Sequence, residues 1–156
     1  MNKIDWKKFL LSILLTQGAG GIGAIATTPK IRSWYSTLIK PTFSPPNWLF
    51  GPVWTLLFLM MGVAFYLVWR EGKRAHKALK IFGIQLFLNT LWSFLFFGAE
   101  SPGLALIEIA LLWIMILVTI VNFSKISKTA AWLLVPYLLW VSFASVLNAA
   151  IFQLNR

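Results

Sequence analysis

Gln85, Asn89, Trp92 and Phe96 follow one another at intervals of 4, 3 and 4 residues. That spacing puts two amides and two aromatic rings on one face of a helix. An amide in hydrocarbon is costly without a partner, so such a face must look into protein. Two readings are open. The amides are interhelical hydrogen-bonding glue, or they are the few polar points of an aromatic wall, the usual make-up of a small-molecule pocket. Trp140, Ala144 and Leu147, with Asn148 at the edge, share a second face in the same way. A bulky indole beside an alanine leaves a step into which a flat ligand could slide, and core packing has the same character. Glu108 is the only carboxylate in the apolar runs, and an ionisable group there is read as functional by default. It lies five residues past Gly103, near the end of its helix, where a structural or loop-latching role fits best.

Other chemistries lack their residues. The single histidine, His76, sits in a basic turn, and there is no cysteine, hence no disulfide, thiolate metal site or cysteine nucleophile. No Ser–His–Asp set, paired carboxylates or phosphate-cradling glycine loop can be assembled. Hydrolase and metalloenzyme readings therefore fail, and no metal site is assigned.

The elements that must carry these faces are membrane helices. Of 156 residues, 59% are hydrophobic and 12% charged, against about a quarter charged in soluble domains. The mean hydropathy is +0.78. Crossing a bilayer takes about 20 apolar residues, and five segments qualify: residues 9–28, 48–69, 81–98, 103–123 and 129–152. The expected fold is an all-α, five-helix transmembrane bundle forming one domain over residues 1–156. Residues 9–28 follow a basic start, as a signal peptide would, but the apolar stretch exceeds a signal core and reads as a first transmembrane helix. The net charge of +10 lies in termini and loops, which argues for membrane topology and against nucleic acid. Lys3, Lys7, Lys8, Arg70, Lys73, Arg74, Lys77, Lys80, Lys125 and Lys128 fall on one side of a five-span topology, and Lys30, Arg32, Lys40 and Arg156 on the other. Positive-inside bias puts the N-terminus in the cytoplasm and the first loop outside.

That first loop, residues 28–47, is long for a helix–helix link. Trp34, Tyr35, Phe43 and Trp48 give it apolar surface to bury, and Pro41, Pro45 and Pro46 restrict its backbone. It reads as an ordered lid over the bundle or as an interfacial aromatic belt. In the first helix, Ala19/Gly23 and Gly20/Ala24 are small-xxx-small pairs that allow close helix approach, a dimer contact included. Pro52 and Pro136 sit near helix starts, where a missing backbone donor costs least.

These pieces resemble one family. The pattern WYxxLxKPxxxPPxWxFGPVWT (residues 34–55), Met61–Gly62, QLFLNTLWSFLFF (85–97) and PYLLWVSFASVLN (136–148) are similar to the translocator protein family, TspO/MBR, also called the peripheral-type benzodiazepine receptors. The resemblance spans essentially the whole chain. It implies a five-helix bundle, often homodimeric, whose first loop caps a pocket for porphyrins and, in animals, cholesterol and drugs. Carried onto this chain, the implied ligand-binding residues are Tyr35, Trp54, Asn89, Trp140, Ala144 and Leu147. Some bacterial members are reported to promote light-dependent oxidative porphyrin degradation, for which the implied residues are Tyr35 and Trp140. Porphyrin would be a ligand, with no cofactor required; of the residues near the loop only Met60, Met61 or Tyr35 could reach for a metal in it. Arg32 and Lys40 are our own candidates for pairing with porphyrin carboxylates. The chain departs from animal members after Asn148, where AAIFQLNR lacks the tyrosine of the sterol signature. Val63, Tyr66 and Arg70 fit the looser sterol pattern, but a bacterial-type, tetrapyrrole-linked member is the better match. The leading expectation is a tetrapyrrole receptor. The alternatives are a porphyrin transporter, weakened by the lack of intramembrane charges for ion coupling apart from Glu108 and by the lack of an inverted repeat, and a ligand-regulated membrane scaffold.

Overall fold

In a computed structural model, which describes residues 4–156, the first helix starts where the Asp5 carboxylate accepts the Lys8 backbone N–H at 3.1 Å. Lys3, counted above among the basic residues, lies outside the described residues. Helix α1 (Trp6–Arg32) runs a turn further at each end than its apolar stretch. At the far end it continues through Pro29, which removes one backbone bond without stopping the helix. Next come the single turn α2 (Trp34–Thr37), then α3 (Asn47–Trp69) and, after a 3-10 turn, α4 (His76–Ser93). Helix α5 (Pro102–Ser124) follows, capped by the Ser101 hydroxyl. The last span is two helices, α6 (Lys128–Leu133) and α7 (Val135–Leu154). Pro136 causes the break at Leu134, because it has no N–H to return to the carbonyl four residues back. Pro52 lies in the second turn of α3, near the helix start as the sequence suggested, since that helix begins at Asn47. Five helical runs are long and apolar enough to cross a membrane.

Helix α1 packs chiefly on α3, and α5 on α4 and α7. Lipid tails are as apolar as leucine, so these contacts rest on close van der Waals packing and interhelical hydrogen bonds. Gly62 shows how close: a Cβ there would lie 2.7 Å from Ile13 Cδ1, 2.8 Å from Thr16 Oγ1 and 3.0 Å from the Ile13 backbone. The small residues of α1 serve similar contacts, with Gly20 against the Phe58 ring and Gly23 against Ser93. Deeper in the bundle, Phe82 stacks on Phe123 with centroids 5.7 Å apart.

The lid and the belt readings of the first loop divide by residue. Tyr35 is buried and packs with Trp34 against Phe96 and Phe97. Trp48, 72% exposed, points outward as a belt residue would. Phe96 and Phe97 reach the lid because α4 ends in a π turn, Phe94–Gly98, closed by the Ala99 N–H on the Phe94 carbonyl at 2.7 Å. The extended part of the loop is held by Asn155. Its Oδ1 accepts the Ile39 N–H and its Nδ2 donates to the Ile39 carbonyl, both at 2.9 Å. An exposed Lys30–Glu100 ion pair of 2.6 Å ties the end of α1 to the α4–α5 turn. Glu108 is buried, but neither carboxyl oxygen has a hydrogen-bond partner among the described residues. Of the structural or loop-latching role read from the sequence for Glu108, the latching part falls to Asn155.

Two outcomes follow from these contacts. Gly62→Ala forces α1 away from α3 against backbone, and thermal unfolding in detergent should show a loss of about 1–3 kcal/mol. Asn155→Leu removes both bonds to Ile39. Worth about 1 kcal/mol each, they slow hydrogen exchange at the Ile39 amide by roughly tenfold or more; unchanged exchange would leave the prolines and aromatics as the lid's only restraints.

Candidate functional site

Beneath the lid lies a cavity of about 420 Å³, within the range of about 300–1,000 Å³ usual for ligand sites. Each helix contributes by its local sequence. The glycine-rich stretch of α1 gives a ledge with almost no side chains, from Gly20 to Ala24. From α3 come Phe50, Gly51, Trp54 and Phe58, from α4 and its π turn Asn89, Trp92 and Phe96, and from α5 Ile109 and Leu112. Helix α7 supplies Trp140, Ala144, Leu147 and Asn148.

The structure brings all six expected ligand-binding residues to this cavity: Tyr35, Trp54, Asn89, Trp140, Ala144 and Leu147. It does not bring Arg32, Lys40, Met60 or Met61 to its lining. Lys40 lies on the lid, its Nζ 4.8 Å from the Tyr35 ring centroid and 3.3 Å from the Leu38 carbonyl to which it donates. Arg32 is exposed at the end of α1, and Met61 is fully buried between helices. Tyr35 is therefore the one metal-reaching candidate that touches the cavity. Among the described residues no three His, Cys, Asp or Glu side chains gather into a metal-holding group. Tyr66, of the loose sterol pattern, is buried with its hydroxyl accepting the Asp5 N–H, so it offers no lipid-facing hydroxyl.

The two readings of the α4 polar face also divide by residue. Gln85 is fully buried away from the cavity and works as glue: its Oε1 accepts the Tyr137 hydroxyl at 2.9 Å. Asn89 does both jobs, donating from Nδ2 to the Tyr137 oxygen at 2.8 Å while lining the cavity. Trp92 presents its ring to the cavity and its Nε1–H to Asn148 Oδ1 at 3.1 Å. Asn148 in turn donates to the Pro102 carbonyl at 2.8 Å, joining α7 to the start of α5.

Trp140 differs from Trp92. Its ring is set between Phe50 and Phe143, with centroids at 6.0 and 5.5 Å, and its buried Nε1–H has no partner among the described residues. An unpaired buried donor costs about 1–3 kcal/mol, which an acceptor brought by a ligand would recover. Tyr35 adds a phenol whose pKa burial pushes above the ordinary tyrosine range, the nearby Ser44 hydroxyl pulling the other way. It stays neutral at physiological pH. The arrangement is an aromatic-walled slot with hydrogen-bonding groups and, among the described residues, no charged side chain in its lining. Sequence reasoning missed Tyr137 and Phe50. Tyr137 is masked by the helix-breaking proline beside it, and nothing in the sequence sets Phe50 apart from any other apolar helix residue.

Comparison with known proteins agrees with this geometry. The profile described as the TspO/MBR family matches residues 12–154. The chain is 49% identical to the "Tryptophan-rich protein TspO" of Chlorobaculum tepidum, over 95% of this chain and 98% of that one. Its identity to the protein of that name from Archaeoglobus fulgidus is 45%, over 95% and 97%. To the "Translocator protein" of Bos taurus it is 37%, over 92% and 87%. With family motifs lining a lidded cavity among five membrane-spanning helices, this chain belongs to the TspO/MBR family.

Proposed function

We propose that the protein is a membrane receptor for tetrapyrroles of the protoporphyrin type and related flat hydrophobic ligands. The observation that carries this reading is the lidded aromatic slot, whose lining brings Tyr35, Asn89, Trp140 and Ala144 together. A macrocycle is flat and mostly apolar, with nitrogens at its centre and carboxylates at its rim. Aromatic walls suit its faces. Asn89 and the unpaired Trp140 Nε1–H suit its polar atoms. Lys40 and Arg32, at the lid end but outside the slot, suit carboxylates that protrude from it. Positive-inside bias turns this end away from the cytoplasm. Homodimer formation belongs to the same reading. Gly18 of α1 is exposed, has open space around it and offers a surface for a second copy.

Tyr35 and Trp140 are also oxidisable side chains on the slot's wall. With light and dioxygen supplied, dioxygen would be the species reduced and the excited macrocycle the species oxidised. The two side chains in contact with it would donate electrons to, or trap, the reactive oxygen formed. Binding and degradation are separable by experiment. Protoporphyrin added in the dark should quench tryptophan fluorescence saturably. Ala144→Leu fills the step, and overpacking of about 1–3 kcal/mol should weaken binding roughly tenfold or more. Under illumination, loss of porphyrin absorbance should slow in Tyr35→Phe and Trp140→Phe. Equal loss in all variants would leave a receptor without chemistry, and a failure to saturate in the dark would remove tetrapyrroles as the ligand. Arg32→Gln with Lys40→Gln should weaken dark binding by up to about fivefold at low salt and less at high salt, as exposed ion pairs do.

A further inference from the structure

The basic end of the bundle holds a feature that the cavity does not use. On the outer surface between α1 and α3, Leu11, Leu14 and Leu15 face Phe65 and Trp69 across an apolar groove. The leucines recur at helical spacing and the two rings lie 5.7 Å apart. The groove is open to the bilayer: Leu11 is 53% and Leu14 66% exposed. Lys8 stands at its mouth, with Nζ 5.7 Å from the Trp69 ring centroid. The nearest acid to Lys8 is Asp5 at 4.0 Å, the outer limit of an ion pair. Arg70 follows Trp69 directly, with Glu71 at 3.5 Å. By sequence this end of the topology carries ten of the fourteen Lys and Arg, and only Asp5 and Glu71 of the four acids.

We propose that this groove binds one anionic phospholipid, an acyl chain lying along the leucines and the phosphate resting on Lys8. From Lys8 to Leu15 is about 10 Å at 1.5 Å per residue, enough for the upper part of a chain hanging from a headgroup at the level of the lysine. Lys and Trp are the residues that favour that level. The apolar slot alone would accept any lipid. The cation at its mouth selects the anionic one, since basic pockets between transmembrane helices hold acidic headgroups. A second copy of the chain is a poor occupant, because a two-fold contact through this face would set Lys8 against its own copy.

The test uses the full chain, purified in a neutral detergent, with native mass spectrometry as the readout. Phosphatidylglycerol and phosphatidylcholine with identical acyl chains are added at equal concentration. The expected result is about fivefold greater retention of phosphatidylglycerol, the effect of roughly one well-placed lysine. Lys8→Gln should abolish that preference, and Lys77→Gln, a cation at the same end outside the groove, should leave it intact. Equal retention of the two lipids overturns the proposal. So does an equal loss of preference in both variants, which would mean diffuse surface attraction. A dimer carrying no lipid would assign the groove to a second copy instead.

Discussion

In hydrocarbon, only the protein itself can satisfy a polar group, and the rest of this structure depends on that constraint. The Tyr137 hydroxyl is where it is met most fully, accepting from Asn89 and donating to Gln85, so that one oxygen joins α7 to two turns of α4. Asn148 repeats the device between Trp92 and the Pro102 carbonyl. These bonds set the rotation of α4 and α7 about their axes. That rotation decides which residues remain to face the cavity.

The cavity is then what is left when helices locked by polar contacts do not fill the space between them. At the basic end, glycine against side chain closes α1 onto α3, as at Gly62. Toward the lid, aromatic rings are too large and too rigid to close the space, and they surround it. The π turn at the end of α4 extends the same aromatic set upward, so Phe96 and Phe97 become the surface on which the lid's Trp34 and Tyr35 rest. Lid and slot are one packed aromatic unit, with the Asn155 bonds holding the loop at Ile39 in place.

Much of this was legible in the sequence, for reasons that are physical. A bilayer imposes a length on apolar segments, so five spans could be counted directly. The spacing of Gln85, Asn89, Trp92 and Phe96 by itself defined a face. What was hidden depended on partners distant in sequence or on helix ends. The far boundary of α1 moved because Pro29 is tolerated inside the helix, so proline did not act as a stop. Asn155 could not be recognised as the latch, because it pairs with a backbone 116 residues away. Glu108 attracted the latch role for being charged, whereas a neutral amide, able to donate and accept at once, suits a peptide group better. Whether an amide served as glue or as pocket wall was equally beyond reach, since Gln85 and Asn89 lie on the same face and differ only in depth.

The glycine ledge of α1 has a consequence for the medium around the protein. Gly21 and Ala24 line the cavity, while Ile22 and Ile25 of the same stretch, outside its lining, are 52% and 70% exposed. On that side the barrier between slot and hydrocarbon is little more than the thickness of a helix backbone. Whatever amphiphile surrounds the protein therefore completes the wall, and its chain length and stiffness become part of the site's chemistry. An affinity measured in one detergent is then a property of protein and detergent together, and belongs to the native protein only when the native lipids are in place.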